Sequence, residues 1–186
     1  AEPIKQELGL ADWQLGLMTG FAFALFYTFL GIPIARLAET GNRVRIIAAA
    51  MAVWSLFTVL CGFAQNFVQL LLLRIGVGVG EAGCSPPSHS LITDYAPRDK
   101  RASALAFYSM GIPLGSLAGM LFGGVVADLH GWRTAFMLAG APGLLFAFVA
   151  ILTLREPRFA VTKIAIEKNT AEPKPRFADA LRDVPV

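Results

Sequence analysis

An arginine, a glutamate and a histidine lie within one hydrophobic stretch of the chain, residues 67–95: Arg74, Glu81 and His89. An unpaired charge at the centre of a membrane costs roughly 2.5 to 3.5 kcal/mol or more, so these side chains must face protein or water. Arg74 and Glu81 fall nearly on one face of a helix, about 10 Å apart along its axis. Because that distance is too long for direct contact, each needs another partner: a neighbouring helix, a bound ion or a substrate.

Two interpretations of these residues remain open at this point. Arg74 and Glu81 could be structural, satisfied by neighbouring helices, or they could line a transport path together with Ser85 and His89. Glu81 is the strongest candidate for a proton-coupling or substrate-contacting acid, because it lies near the middle of the stretch. His89 could join a relay, because histidine is the side chain that most readily exchanges a proton at physiological pH, although a single histidine is also common as a packing or pore residue.

The composition indicates an integral membrane protein. Of the 186 residues, 16% are charged and 55% are hydrophobic, with a mean hydropathy of +0.59, which a soluble domain of this size could hardly cover with polar surface. The net charge of +3 does not indicate nucleic-acid binding, because the basic residues are spread over short loops and a tail. Cys61 and Cys84 lie in apolar segments without metal-like spacing, so we predict core residues, no disulfide and no metal site.

Five stretches reach the length of about 20 apolar residues that is needed to cross the hydrocarbon. They cover approximately residues 13–37, 44–64, 67–95, 102–128 and 133–154. The sequence therefore predicts an all-α membrane protein, with a partial bundle of five transmembrane helices over residues 1–154. Residues 155–186 are predicted to be a cytoplasmic linker that contains a short amphipathic segment.

The basic residues are divided unequally between the two sides of this predicted bundle. The loops 36–45 and 96–101 and the tail hold 13 of them, whereas the other side holds Lys5 and Arg133. Because basic loops stay in the cytoplasm, the carboxyl tail should be cytoplasmic and the amino end outside. An outside amino end without a signal sequence suggests a missing preceding span, so we expect an internal piece of a larger transporter.

Glycines in two spans predict close helix packing, because bare backbone lets another helix approach. They are Gly76, Gly78 and Gly80 in the third span and Gly111, Gly115, Gly119 and Gly123, at four-residue spacing, in the fourth. Pro86 and Pro87 cannot both fit an unbroken helix, which predicts a kink or loosened turn beside Ser85.

Several motifs, in order along the chain, resemble those of the major facilitator superfamily. The segment Ala35-Arg-Leu-Ala-Glu-Thr-Gly-Asn-Arg43 resembles its cytoplasmic loop signature, although Ala35, Glu39 and Thr40 replace the usual glycine, aspartate and arginine. Arg74-x-x-x-Gly78-x-Gly80 resembles a second signature, and Gly80-Glu81-Ala82 resembles the Gly-Glu-Ala of the Spinster-like branch. Further similarities are Asp94 with residues 97–101, the glycines of the fourth span, and Gly131-Trp-Arg-Thr-Ala-Phe136.

This resemblance implies helices two to six of a twelve-helix transporter that works by alternating access. It supports proton coupling through Glu81 and brings Glu39, Arg43, Asp94 and Arg101 together as a cytoplasmic gate. The expected partners are membrane lipid, protons, a small and often amphipathic substrate, and the missing helices. No cofactor and no nucleic acid are expected, and the location is the plasma membrane or a bacterial inner membrane.

The same residues bear on several alternative functions. An enzyme is disfavoured, because the sequence has no metal cluster or nucleophile with a base, and its Gly-x-Gly-x-Gly run lies in an apolar helix rather than after a strand. A non-transporting scaffold or receptor would explain the hydrophobicity but not Arg74, Glu81 and His89 in one span. Among transporters, a drug:proton antiporter is favoured by the glycines of the fourth span, whereas an organic-anion symporter would use Arg74 on a substrate carboxylate.

Overall fold

The computed structural model describes residues 2–158, and these form helices without any strand. The helices are α1 (Glu2–Leu8), α2 (Asp12–Gly16), α3 (Ala22–Thr40), α4 (Arg43–Cys61), α5 (Phe67–Ala82), α6 (Ser85–Tyr95) and α7 (Arg101–Thr153), with a π-helical turn at Leu17–Phe21 and a 3-10 turn at Arg98–Lys100. The predicted all-α fold class is therefore confirmed. Most of the predicted linker, including its amphipathic segment, lies outside the described residues.

The first predicted span is helical from α2 through α3. Gly16 and Ala22, which flank the π-helical turn, both have right-handed helical backbone angles, so helical structure runs from residue 12 to residue 40 rather than from 13 to 37. Thr40 ends this helix, and Gly41 after it is extended. The π turn inserts one wider turn into a helix that is otherwise regular.

Four helical stretches are long and apolar enough to cross a membrane. They are Ala22–Thr40, Arg43–Cys61, Phe67–Tyr95 and Arg98–Thr153. A 56-residue helix would be about 84 Å long, far more than the ~30 Å of hydrocarbon that one span must cross. Gly131 interrupts it with φ 84° and ψ 160°, between the predicted fourth and fifth spans. The division of this stretch into two membrane crossings stays a prediction.

Asparagine side chains fix the starts of two helices. Asn42 accepts a hydrogen bond from the backbone N–H of Arg45 at 3.0 Å, and Asn66 accepts one from that of Gln69 at 2.9 Å. The Gln69 side chain in turn accepts from the backbone N–H of Gln65 at 2.8 Å. These bonds satisfy amide groups that have no acceptor within the helix.

Buried side chains form two clusters that Trp54 of α4 joins. One contains Cys61, Leu70 and neighbouring apolar residues, and the other contains Cys84, Leu91 and theirs; Trp54 packs against both. Cys61 and Cys84 are each buried as free thiols in separate clusters, as their prediction as core residues requires. The first cluster packs α4 against α5, and the second packs α4 against Cys84 and α6.

Long-range contacts place the connecting loops at two ends of the bundle. An ion pair between Arg43 and Asp94 and hydrogen bonds between Tyr95 and Arg155 bring residues 41–43, 94–101 and 154–155 to one end, which we call the basic end. Arg133 hydrogen bonds to the Gly62 carbonyl at 3.2 Å, which brings the 62–66 and 131–133 turns together at the opposite end. The loops that lie together at each end are those that the predicted topology placed on the same side.

Candidate functional site

Glu81 lies at the middle of the helical stretch Phe67–Tyr95 and one residue before the end of α5. Its side chain is exposed, whereas Gly80 and Ala82 on either side are buried. The buried neighbours belong to the face of α5 that packs inside the bundle. The carboxyl group is therefore exposed at the middle of this helical stretch.

A helix break follows Glu81 directly. The backbone N–H groups of Gly83 and Cys84 bond to the carbonyls of Gly80 and Glu81, each at 3.1 Å, which tightens the last turn of α5. α6 then begins at Ser85, and its first turn contains Pro86, where a missing N–H costs no hydrogen bond. A loosened turn, one of the two forms predicted beside Ser85, is present at residues 83–84, and Ser85 itself is half-buried at the start of α6.

Arg74 is half-buried on α5, and its guanidinium carbon lies 5.9 Å from the centre of the Phe136 ring. This distance is at the outer limit of a cation–π contact. Within residues 2–158, Arg74 makes no ion pair with Glu81. The positive charge is thus held beside an aromatic ring, at a different level of the helix from the carboxylate.

His89 lies on the exposed side of α6 and packs edge-on against Tyr108 of α7, with ring centres 5.2 Å apart and planes at 80°. The pair links the segment after the helix break to the first half of α7. His89 is eight positions beyond Glu81, about 12 Å along a helix, so a relay between the two needs water or another group between them.

Two residues of the predicted cytoplasmic gate, Arg43 and Asp94, form an ion pair. Arg43, wholly buried at the start of α4, donates to Asp94 at 2.7 Å and to Ser90 at 2.9 Å. Arg101 does not join this pair: its Nε donates instead to the Ala96 carbonyl at 3.4 Å, at the end of α6. Glu39 is exposed in the last turn of α3.

The two sets of predicted packing glycines have different surroundings. A methyl group would lie 2.5 Å from the Phe57 ring at Gly76, 3.2 Å from the Phe23 ring at Gly78 and 2.5 Å from the Trp54 backbone nitrogen at Gly80. The second set has no such neighbour within 4 Å among the described residues: Gly111, Gly115, Gly119 and Gly123. Helix packing through the second set therefore stays a prediction.

Sequence reasoning missed a polar cluster at the opposite end. The Glu7 carboxylate accepts from the Trp132 indole at 2.6 Å and from Arg133 at 2.9 and 3.1 Å. Arg133 also donates to the carbonyls of Gly62 and Ala64, beyond the end of α4. The hydrogen bonds from Trp132 and Arg133 lower the pKa of Glu7. Together with the Arg133 bonds to the two carbonyls, they connect α1 to the 62–66 and 131–133 turns. The only signals in the sequence were a Trp-Arg pair at a turn and an acid predicted on the same side.

Sequence reasoning also missed the glycines through which α7 meets α4. A methyl group at Gly140 would lie 2.6 Å from the Ser55 carbonyl oxygen, and one at Gly143 would lie 2.1 Å from the Ser55 hydroxyl oxygen. Ser55 is 1% exposed, and its hydroxyl has no hydrogen-bond partner in the described part of the chain. The small-residue run 139–143 was the available signal.

Known proteins resemble this chain over most of its length. The sequence profile of the Major Facilitator Superfamily matches residues 1–186. An "MFS-type efflux pump" of Mycolicibacterium smegmatis is 38% identical over 154 residues, which are 83% of this chain and 36% of that protein. The "probable sphingolipid transporter spinster homolog 2" of Arabidopsis thaliana is 32% identical over 133 residues, 72% of this chain and 27% of that one.

Two solved structures of a bacterial homologue of the human lysosomal transporter Spinster, both inward-facing, also resemble this chain. The unoccupied form gives 44% identity and a TM-score of 0.74 over 84% of this chain and 38% of that one. The occupied form gives the same identity and TM-score over 84% and 39%. The chain thus spans little more than a third of these relatives. With its whole length matched, its helices superposed and its Gly80-Glu81-Ala82 motif at the helix break, this chain belongs to the Major Facilitator Superfamily and is Spinster-like.

Proposed function

We propose that this chain forms part of a proton-coupled secondary transporter that moves small, amphipathic organic molecules by alternating access. The observation that carries the proposal is the position of Glu81, exposed beside a helix break at the middle of a 29-residue membrane stretch. Membership of a family of membrane transporters supports it. So does the similarity to structures solved both with and without an occupant.

Glu81 would couple transport to protons through its changing access to water. A charged carboxylate is costly in hydrocarbon, so the group gains or loses a proton when its surroundings alternate between water and the membrane interior. Broken helices at the bilayer midplane are a recurring way to build such sites in transporters. Ser85, at the start of α6, supplies a further polar group beside the break.

An amphipathic substrate is consistent with the site and with the names of relatives. Glu81 and Arg74 offer polar contacts, whereas the helices around them present mainly apolar side chains. One relative is named as a probable sphingolipid transporter and another as an efflux pump. His89 and Tyr108 would line the route between this site and the basic end.

Recognition of an organic anion is the second candidate, and Arg74 favours it. In the described range 2–158, its guanidinium forms no hydrogen bond or ion pair, and its contact is the Phe136 ring. A half-buried cation in this situation could receive a substrate carboxylate or phosphate. A drug:proton antiporter would depend more on Glu81 than on Arg74.

The Arg43–Asp94 pair is proposed to bias the conformational cycle. Arg43 is wholly buried and Asp94 is 39% exposed, so one side of the pair can be opened by water. A pair that forms in one state and separates in the other shifts the equilibrium by the difference in its energy between the two states. By the excess of basic residues, we propose that the basic end and the carboxyl tail face the cytoplasm of a plasma or bacterial inner membrane.

The test is proton-gradient-driven transport by the full-length protein in vesicles, over a panel of lipids, sugars, organic anions and cationic dyes. Glu81→Gln should abolish proton-driven movement, while the matched exposed change Glu2→Gln should retain it. Arg74→Lys separates the two candidates. Loss of anion transport with proton coupling intact would support anion recognition, and unchanged transport in Glu81→Gln would overturn the coupling role.

A further inference from the structure

A patch of exposed cations surrounds the turn between α6 and α7. Arg98 and Lys100 lie in the 3-10 turn, and Arg101 begins α7; all three are exposed. The Arg101 Nε bond to the Ala96 carbonyl holds that side chain against the end of α6. Within residues 2–158, the side chains of Arg98 and Lys100 have no hydrogen-bond or ion-pair partner. The two cationic side chains are therefore available to an external anion.

Tyr95 bonds to the backbone of a fourth exposed basic residue, Arg155. Its hydroxyl accepts a hydrogen bond from the Arg155 backbone N–H at 3.1 Å and donates one to the Arg155 carbonyl. This fixes the end of α7 beside the end of α6, three residues before Arg98. Arg155 is exposed, and the single acid of the turn, Asp99, forms no ion pair in the described part of the chain. The patch therefore carries an excess of positive charge.

An apolar surface adjoins the patch along the last turns of α7. Phe148 is 62% exposed and Leu152 is 67% exposed, one helical turn apart on the same face. Tyr95, which is half-exposed and bonds to Arg155, is a residue type that concentrates at membrane interfaces. Phosphate-binding groups and a surface suited to acyl chains thus lie side by side.

We propose that this patch binds the headgroup of an anionic phospholipid. The phosphate is held by Arg98, Lys100 and Arg155, and the acyl chains lie against Phe148 and Leu152. Guanidinium groups bind phosphate oxygens in pairs, which favours a held headgroup over a diffuse counterion. This site is separate from Glu81 and does not depend on the proposed transport activity. Each basic residue that contacts the bound headgroup strengthens binding of anionic lipid by about fivefold.

The experiment measures phospholipid binding to the full-length protein by native mass spectrometry in detergent, with phosphatidylglycerol compared with phosphatidylcholine. The double variant Arg98→Gln, Lys100→Gln should lose about 25-fold in affinity for phosphatidylglycerol. The matched double variant Arg36→Gln, Arg45→Gln removes the same charge from exposed positions near the basic end and should change affinity less than about twofold. Exchanging the two cations, as Arg98→Lys with Lys100→Arg, should preserve binding.

Three results would overturn the proposal. Equal losses in the two double variants would mean attraction by net charge rather than a site. Equal binding of phosphatidylglycerol and phosphatidylcholine would remove the role of headgroup charge. Inorganic phosphate that raises the unfolding temperature as much as phosphatidylglycerol does, and is equally sensitive to Arg98→Gln with Lys100→Gln, would assign the patch to a free anion. An unchanged unfolding temperature of each variant without lipid confirms that its fold is intact.

Discussion

Replacing Gly80 with alanine should separate α4 from α5. The new methyl group would lie 2.5 Å from the backbone nitrogen of Trp54, 2.8 Å from its Cβ and 2.9 Å from its Cα. Ordinary contacts begin at 3.4 Å, so the helices must move apart by about 0.9 Å, the difference between the two distances. The obstacle is helix backbone, which cannot rotate away as a side-chain tip can.

The expected net effect of Gly80→Ala is a destabilisation of about 1 to 2 kcal/mol. Because all three contacts are shorter than 3.0 Å, the cost lies in the upper part of the usual overpacking range, about 2 to 3 kcal/mol, and the better helix propensity of alanine offsets about 1 kcal/mol of that. A change of this size lowers the unfolding temperature by about 2 to 4 °C per kcal/mol in a protein of this length.

Gly78→Ala is the matched control, because it makes the same chemical change two residues earlier on α5. Its methyl group would lie 3.2 Å from the Phe23 ring, a half-buried side chain that can shift by a few tenths of an ångström. Its stability should therefore stay equal to that of the wild type or rise slightly. Thermal unfolding in detergent, followed by circular dichroism, compares the two variants. Equal unfolding temperatures for Gly78→Ala and Gly80→Ala would refute the inferred close approach of α4 and α5.

Three further changes test other contacts. Asp94→Asn should lower the free energy of unfolding by about 1 to 3 kcal/mol, because it leaves the buried Arg43 charge without its carboxylate partner. Water can still reach the partly exposed side chain at position 94, which limits the loss. An unchanged midpoint of chemical unfolding would contradict the pairing. Glu7→Gln should lower the unfolding temperature at neutral pH: hydrogen bonds lower the pKa of Glu7 from its ordinary value of 4.5, so their contribution is complete above that value and is lost as the pH falls through the lowered pKa. A difference from the wild type that persists in acid would count against this cluster. Gly131→Ala should cost about 1 to 3 kcal/mol in thermal unfolding, because φ 84° and ψ 160° are accessible mainly to glycine, whereas Gly124→Ala, with nothing within 4 Å, should cost nothing; similar effects at both sites would argue against strain.

The helices themselves could be predicted because their signals are local. Apolar length indicates where a segment can cross the membrane. Pro86 indicates the break after α5, because a proline has no backbone N–H to donate to the preceding turn of a helix. Helix ends were less certain: the first helix extends to residue 40 rather than 37, since apolar content falls before the backbone hydrogen bonds end. The transport roles of Glu81 and Arg74 remain proposals, because they depend on substrate and conformational change.

The sequence by itself determined the α-helical class, the integral membrane character, the approximate helical stretches and the unequal distribution of charge, because these follow from composition and short-range pattern. Only the tertiary structure decided which remote groups meet. Asp94 pairs with Arg43, whereas Arg101 bonds to the Ala96 carbonyl, and Glu7 contacts residues more than a hundred positions away. Such contacts depend on how helices pack and rotate against one another, and spacing along the chain does not specify either.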